Sequence, residues 1–191
     1  RRGRELAQAN RTLLSRIESR LDVQRRFLVA IWGLESRYGR LDGLLHNAAI
    51  LGDKSPIEHY DIGLWQRVLL VDLTAPFILT RCLLPLLRNS PDASIVFASS
   101  SVGRRGRAYW GAYLPSKWAT DGLMHMLADE LESDHIRVNS VNPGAVRTNM
   151  RLQAYPAEDR SKLLSPEAIV APYLYLLGPD SKGLRNEVLD A

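Results

Sequence analysis

Three short apolar runs, separated by longer segments whose apolar residues recur at helical spacing, constrain this chain most. Their short length and apolar content are typical of buried strands. The runs cover residues 41–49, 94–99 and 136–141. Helices are predicted over residues 63–87, 113–132 and 166–177, with a last short strand over residues 187–189. Alternating strands and helices predict an α/β fold, a doubly wound parallel sheet with helices on both faces.

Most of the positive charge lies in the first 26 residues. Two amphipathic helices are predicted in this part of the chain, over residues 4–20 and 24–38. The first 26 residues carry eight arginines against Glu5, Glu18 and Asp22, a net +5, whereas the whole chain carries +4. The arginines indicate either a solvated helix face, which is the commoner case, or a contact with nucleic acid. Aromatic side chains that stack on bases do not interleave with them, so a nucleic-acid partner is not expected.

The composition excludes several classes of protein. Hydrophobic residues make up 46% and charged residues 24% of the 191, ordinary values for one globular domain. The sequence contains no uncharged apolar run of about 18 residues, so no membrane span is predicted. The first residues lack the apolar stretch of a signal peptide. Cys82 is the one cysteine, which excludes an internal disulfide and a multi-cysteine metal site, and its leucine neighbours predict a buried thiol. We therefore expect a cytoplasmic protein without a metal site.

The strongest chemical signal is the pair Tyr113 and Lys117 at the start of a predicted helix. Residues four apart share one helix face, so the two side chains lie together. A phenol has a pKa near about 10 and is a poor acid–base catalyst at neutral pH, but a fixed ammonium favours the phenolate and lowers that pKa. A serine cluster, residues 99–101, ends the preceding strand, where ligands bind in open parallel sheets. One of its hydroxyls can hold a substrate oxygen beside the phenol.

Together with Pro143 and Gly144 after the next strand, these residues resemble the short-chain dehydrogenase/reductase family of NAD(P)-dependent oxidoreductases. The resemblance covers roughly residues 36–191 and extends to a bacterial branch whose substrates are largely unassigned. It implies a Rossmann-like fold. It also implies that Tyr113 is the general acid/base, while Lys117 lowers the pKa of that tyrosine and binds the nicotinamide ribose.

Two further catalytic positions follow from the resemblance. The family's serine precedes its tyrosine by thirteen positions, which selects Ser100 and leaves Ser99 and Ser101 as loop residues that form hydrogen bonds. The family's asparagine, whose main-chain carbonyl holds a water in a proton relay, is replaced here by Asp72. Pro76 lacks the N–H that would bond the Asp72 carbonyl, so the relay can survive, with a pH profile altered by the carboxylate. The alternative is a kinked helix with an exposed aspartate.

Segments after two strands resemble the family's cofactor contacts. After the third predicted strand, these are Pro143, Gly144, Val146 and Thr148. The backbone of this segment would contact the nicotinamide carboxamide, and the threonine would help to hold the cofactor. After the first predicted strand, Asn47 and Ala48 match the family pattern near the adenosine side of the cofactor. There, Asn47 would tie neighbouring strands together. The position of His46 favours a structural role near the cofactor over a catalytic one.

The family's glycine-rich turn, Thr-Gly-x-x-x-Gly-x-Gly, is missing from this sequence. By the resemblance, Arg1 and Arg2 lie just after the family's second strand, where an arginine commonly meets the 2′-phosphate of NADP, so NADP is favoured over NAD. The single domain, residues 1–191, would then lack its first strand–helix–strand unit, about 40 residues. Either that unit belongs to the real molecule, or the chain is a truncated, inactive homologue.

The resemblance implies reversible hydride transfer between NAD(P)(H) and a carbonyl or alcohol substrate. Helices 63–88 and 113–132 would form the interface of a homodimer or homotetramer. Residues 151–164 are a short predicted substrate lid, in which Leu152, Tyr155 and Leu163 indicate a partly apolar substrate. The alternative is a non-catalytic homologue that binds a nucleotide or nucleic acid, because a fold alone does not fix a function.

Overall fold

The computed structural model describes residues 39–191 and, before them, Gln8, Arg11, Thr12 and Ser15. These four are helical, in agreement with the helix predicted over residues 4–20. The rest of that helix, the helix predicted over residues 24–38, and the arginines at positions 1 and 2 lie outside the described residues.

Four parallel strands form one sheet, in the order β1-β2-β3-β4. They are β1 (Gly43–His46), β2 (Ala93–Ala98), β3 (Ile136–Asn142) and β4 (Val188–Asp190). Every residue of β2 and β3 is buried, including the polar Arg137, Asn139 and Ser140 of β3. The predicted strands and the parallel sheet are confirmed. Within the described part of the chain, β1 lies at the edge of the sheet.

Helices cover both faces of the sheet. They are α1 (Ile62–Leu69), α2 (Ala75–Arg88), α3 (Tyr113–Glu130), α4 (Asn149–Ala154) and α5 (Ala171–Leu177). Short 3-10 turns lie at Ile57–His59, Ser101–Gly103, Arg160–Lys162, Pro166–Ile169 and Pro179–Ser181. The helix predicted over residues 166–177 is therefore divided into a 3-10 turn and α5, while α4 was not predicted because six residues give too little periodicity.

The core has a layer on each side of the sheet. On one side, Ile95, Phe97 and Val138 pack with Leu87 of α2 and Met124 of α3. On the other side, Val96 and Val141 pack with Tyr173 and Leu176 of α5. Cys82 is only half-buried, which corrects the prediction of a buried thiol.

A π-helical turn over Leu70–Thr74 joins α1 to α2. In it, the amide of Ala75 donates to the carbonyl of Leu70. Pro76 has no N–H to give the carbonyl four residues earlier, which is the reason for a local change of helical register. The sequence predicted a kink here, and the structure shows a wider turn in an otherwise continuous helix.

The helical stretch Ile62–Arg88 is long and apolar enough to cross a membrane by length and composition, with a mean hydropathy of 1.7. The sequence analysis expected no such segment. One side of the stretch, however, packs on the domain through buried residues that include Val68, Asp72 and Leu87. A core helix of an α/β fold passes the same test of length and composition.

Candidate active site

A cavity of about 320 Å³ opens at the carboxyl ends of β1, β2 and β3. Three residues of the predicted catalytic group line it, Ser100, Tyr113 and Lys117. Ser100 follows the last residue of β2, and Tyr113 begins α3, so the parallel sheet and one helix N-terminus bring them together. The cavity lies where open α/β sheets bind their ligands.

Ser100 and Tyr113 line the same cavity, and the interaction with the Ser100 side chain lowers the pKa of Tyr113. Ser100 has extended backbone, and its hydroxyl also accepts from the amide of Val102 at 3.4 Å, which caps the 3-10 turn. Tyr113 is 8% exposed. Burial acts in the opposite direction, outweighs this interaction and raises the pKa of Tyr113 to about 12. The phenol is therefore protonated at neutral pH in this structure.

Lys117 lies one helical turn beyond Tyr113, and its Nζ is 5.6 Å from the tyrosine ring centroid. Its ammonium donates to the carbonyl of Ala98 at 2.7 Å. Burial lowers the pKa of Lys117, while Asp72 and Asp121 raise it. The expectation that Lys117 lowers the pKa of Tyr113 is not met, because the desolvation of the buried phenol outweighs other influences here.

The structure separates the three neighbouring serines. The Ser99 hydroxyl donates to the Asp121 carboxylate at 2.8 Å, and Ser101 is exposed at the start of the 3-10 turn. Of the three serines, only Ser100 influences the pKa of Tyr113 through its side chain. The interpretation of Ser99 as a structural hydrogen-bonding residue agrees with this geometry.

Asp72 is 2% exposed, so the alternative of an exposed aspartate is wrong. Its Oδ1 accepts from the amide of Ile50 at 2.8 Å, and its Oδ2 lies 3.0 Å from the hydroxyl of Ser116. Its main-chain carbonyl accepts from the Thr120 hydroxyl at 3.2 Å, so this carbonyl has a protein partner in addition to any water. Burial raises the pKa of Asp72, and these hydrogen bonds and Lys117 lower it. Asp72 supports the cavity from behind without lining it.

The predicted cofactor residues divide in the structure. Asn47, Pro143, Gly144, Val146 and Thr148 line the cavity. Ala48 is exposed and lies outside that wall, and its contact with the cofactor stays a prediction. Arg1 lies outside the described residues.

The segment after β3 fits the nicotinamide end of a dinucleotide. Gly144 has a φ of +67°, and a Cβ built on it would meet open space, so the backbone is accessible from the cavity. Thr148 caps α4 by accepting from the amide of Arg151 at 3.1 Å. Lys117 supplies a cation on the opposite wall. The described residues contain no turn that would hold a pyrophosphate.

His46 belongs to the core. Its Nε2 lies 2.8 Å from the Thr80 hydroxyl, and its ring packs 4.7 Å from that of Phe97. Burial lowers the pKa of His46 to about 4. The structural interpretation of His46 agrees with this placement.

Sequence analysis missed an aromatic wall beside Tyr113. Trp110 lines the cavity with its ring centroid 5.9 Å from that of Tyr113 and 5.9 Å from that of Tyr155. From the predicted lid, Arg151 and Ala154 line the cavity instead of Leu152, Tyr155 and Leu163, and Met150 lines it from just before the lid. The available signal was a tryptophan three residues before Tyr113, which by itself indicates only a core aromatic residue.

Comparison with known proteins decides the family. The family model described as short chain dehydrogenase matches residues 17–159, well over half of the chain. The chain belongs to the short-chain dehydrogenase family. A curated member, the oxidoreductase YciK of Escherichia coli strain K12, is 51% identical over 154 residues, which cover 81% of this chain and 61% of YciK.

Solved short-chain dehydrogenases show the same fold. One from Pseudomonas syringae is 50% identical, with a TM-score of 0.80 over 96% of this chain and 68% of that one. One from Escherichia coli CFT073, complexed with NADPH, is 52% identical, with a TM-score of 0.77 over 80% of this chain and 63% of that one. The chain thus spans a little over three fifths of the length of YciK.

Proposed function

We propose that the protein catalyses the NADPH-dependent reduction of a carbonyl compound to an alcohol, with the reverse oxidation as the same reaction run backwards. The observation that carries this proposal is the cavity wall on which Ser100, Tyr113 and Lys117 lie together. NADP is favoured over NAD because a solved relative is complexed with NADPH.

Tyr113 is suited to give a proton to the substrate oxygen. Its pKa of about 12 keeps the hydroxyl protonated at neutral pH, and its position in the cavity wall brings that hydroxyl to a bound ligand. A carbonyl oxygen between Ser100 and Tyr113 would accept from both hydroxyls, which stabilises the negative charge that develops during reduction.

The cofactor supplies the hydride, and the protein supplies position and electrostatics. Pro143, Gly144, Val146 and Thr148 would hold the nicotinamide end on one wall, and Lys117 would bind its ribose from the other. Asn47 lies at the cavity rim, where it would face the adenosine side. Asp72 is a positioning residue, since it reaches the site only through Ser116, Ile50 and Thr120.

The test measures NADPH oxidation by the full-length protein with a panel of aldehydes and ketones. Tyr113→Phe removes only the hydroxyl and should lower kcat by at least about 10²-fold. Tyr109→Phe is the matched control, because Tyr109 is an exposed tyrosine four residues earlier in the same loop. Unchanged turnover in folded Tyr113→Phe would overturn the mechanism, and salt-sensitive nucleic-acid binding without any turnover would favour a binding protein.

A second matched pair tests the serine. Ser100→Ala should lower kcat/KM by about tenfold or more, because one of the two donors to the substrate oxygen is lost. Ser101→Ala changes the adjacent exposed serine and should leave kcat/KM within about twofold of wild type, as surface substitutions away from a site do. Equal effects of the two substitutions would contradict the assignment of Ser100.

We also propose a homo-oligomer and a cytoplasmic location, which stay predictions. Phe77 on α2 and Trp118 on α3 are 45% and 49% exposed, which supports an interface on these helices. Light scattering on the eluting protein would give the number of subunits. A monomer at micromolar concentration would contradict the first proposal.

A further inference from the structure

The wall next to Tyr113 is apolar and aromatic. Tyr113 belongs to a cluster of buried side chains that also includes Leu51, Trp110 and Ala154. Met150 packs against this cluster and lines the cavity together with its other members. A substrate whose carbonyl oxygen reaches Tyr113 therefore places its body against hydrocarbon and an indole ring.

This wall is held rigidly from its outer side. The Lys54 ammonium lies 4.8 Å from the Trp110 ring centroid and 4.6 Å from that of Tyr155, so it contacts both rings. The same ammonium donates to the carbonyl of Ala154 at 2.8 Å. Because Lys54 joins the loop after β1 to the end of α4, the indole ring is fixed before a substrate arrives.

Arg151 is the cation on the cavity wall that could bind a substrate carboxylate, and its charge is already paired. Its Nε and Nη2 donate to the two carboxylate oxygens of Glu158 at 2.6 and 2.5 Å. Its guanidinium also stacks on the Tyr155 ring, with Cζ 4.0 Å from the centroid. The fork that would bind a carboxylate in a bidentate manner is therefore occupied by the protein's own carboxylate.

Of the cations on the described part of the wall, Lys117 is the other one; it donates to the Ala98 carbonyl, and in the proposed function its remaining N–H groups bind the nicotinamide ribose. A substrate carboxylate would therefore enter the apolar side of the cavity without a free bidentate partner, which is costly. A neutral flat ring would replace water along Trp110 at no such cost.

We infer that the active site takes small, neutral carbonyl compounds with a flat apolar ring and rejects analogues that carry a carboxylate. This inference rests on the proposed carbonyl reduction. Trp110 is the residue that selects the ring, and the Arg151–Glu158 pair excludes the carboxylate. The cavity of about 320 Å³ must also hold the nicotinamide end, which limits the substrate to a small molecule.

The first experiment compares kcat/KM of the full-length protein with NADPH for benzaldehyde and 4-carboxybenzaldehyde, and for acetophenone and 4-acetylbenzoate. The neutral member of each pair should have a kcat/KM at least about tenfold higher. A carboxylate member that is reduced equally well or better would overturn the inference and leave the proposed function intact.

Two variants locate the cause of the selectivity. Glu158→Gln frees the Arg151 fork and should shift the kcat/KM ratio toward the carboxylate members by about tenfold. Asp159→Asn is the matched control, because the adjacent Asp159 bonds Ser161 and lies outside the pair. An unchanged ratio in Glu158→Gln would contradict the role of the pair.

Trp110→Leu should lower kcat/KM for benzaldehyde by at least about tenfold while changing that for propanal by less than about threefold. Trp110→Phe keeps a flat ring and should retain most of the activity with benzaldehyde. Equal losses for both aldehydes in Trp110→Leu would contradict a selective role for the indole ring.

Binding of unreactive ligands separates this inference from the proposed function. Benzamide and benzoate have similar shapes, differ in charge and are not reduced by hydride transfer, so calorimetry can measure their binding without turnover. Benzamide should bind more tightly to the wild-type protein, and Glu158→Gln should narrow the difference. If no carbonyl compound is reduced, the proposed function fails, whereas tighter binding of benzoate would overturn the substrate inference itself.

Discussion

The Asp72 carboxyl lies 3.0 Å from the Ser116 hydroxyl, and that hydroxyl is in turn 2.8 Å from the carbonyl of Tyr113. Ser116 has one hydrogen to share between these two acceptors. A protonated Asp72 would give its own hydrogen to Ser116, and the serine could then donate to Tyr113. The raised pKa of Asp72 favours this arrangement.

Asp72→Asn should therefore preserve the local hydrogen bonds. The amide oxygen accepts from Ile50, and the amide NH₂ donates to Ser116. Because the pKa of Asp72 is raised on folding, its contribution to stability is present below the unfolded pKa and is lost as the pH rises through the folded pKa. In urea unfolding at pH 5 and pH 8, the free energy of unfolding of Asp72→Asn relative to that of wild type should be higher at pH 8.

The control for Asp72 is alanine, which leaves the Ile50 amide without its partner and the Ser116 hydroxyl with only the Tyr113 carbonyl. Asp72→Ala should cost about 2 kcal/mol or more of unfolding free energy. A loss in Asp72→Asn as large as that in Asp72→Ala would show that the ionised carboxylate is required. Removing the negative charge should also shift the alkaline limb of the alcohol-oxidation profile to lower pH, since Asp72 raises the pKa of Tyr113.

Gly111→Ala should destabilise the loop that carries Trp110 into Tyr113. Gly111 has a φ of +49°, and a Cβ at this position would overlap the ring of Tyr60. Strain and overlap together should cost about 2–4 kcal/mol, measured by thermal or urea unfolding. Gly106→Ala is the matched control in the same loop, because a Cβ there meets open space, and it should change stability by less than about 1 kcal/mol.

Stability should fall with acid because of His46. Its pKa is 6.5 when unfolded and about 4 in the fold, so only the unfolded state binds the proton between these values. The contribution of the neutral His46 ring to the free energy of unfolding is fully present above pH 6.5 and is lost as the pH falls toward 4. For this pKa shift, the loss is roughly 3 kcal/mol. His46→Gln, which can still bond Thr80, should flatten the pH dependence, whereas His59→Gln at the exposed His59 should not.

Among the arginines of the described residues, removing Arg137 should lower the free energy of unfolding most, because this side chain is only 5% exposed. It bonds Asp92 at 3.1 Å and the carbonyls of Leu176 and Gly178 at 2.9 and 3.1 Å. Arg137→Met removes these bonds and leaves the Asp92 carboxylate without its ion-pair partner, and it should cost about 3–5 kcal/mol in chemical denaturation.

The matched control for Arg137 is Arg40→Met. Arg40 forms an exposed ion pair with Asp42, and its loss should cost less than about 1 kcal/mol. Similar losses in the two variants would contradict the dependence on burial.

The sequence predicted the elements well because their signals are local. The strands lie at the predicted short runs, although β3 also contains Arg137, Asn139 and Ser140, and α3 begins at the predicted residue, Tyr113. Spacing along one helix was enough to place Lys117 one turn from Tyr113. The resemblance selected Ser100 among three serines, and of the three only the Ser100 side chain influences the pKa of Tyr113.

The tertiary structure alone decided the surroundings of these residues. Lys54 and Ala154, which meet at the aromatic wall, are 100 positions apart in the chain, and Asp72 and Ser116 are 44 apart. No periodicity relates such positions. Burial likewise decided the protonation of Tyr113, since desolvation raises its pKa against the expected effect of the lysine. By itself the sequence indicated, through local spacing, which groups are candidates to carry the chemistry. Long-range packing determined the charge state of those groups and the shape of the cavity beside them, because desolvation and close contact exist only in the folded chain.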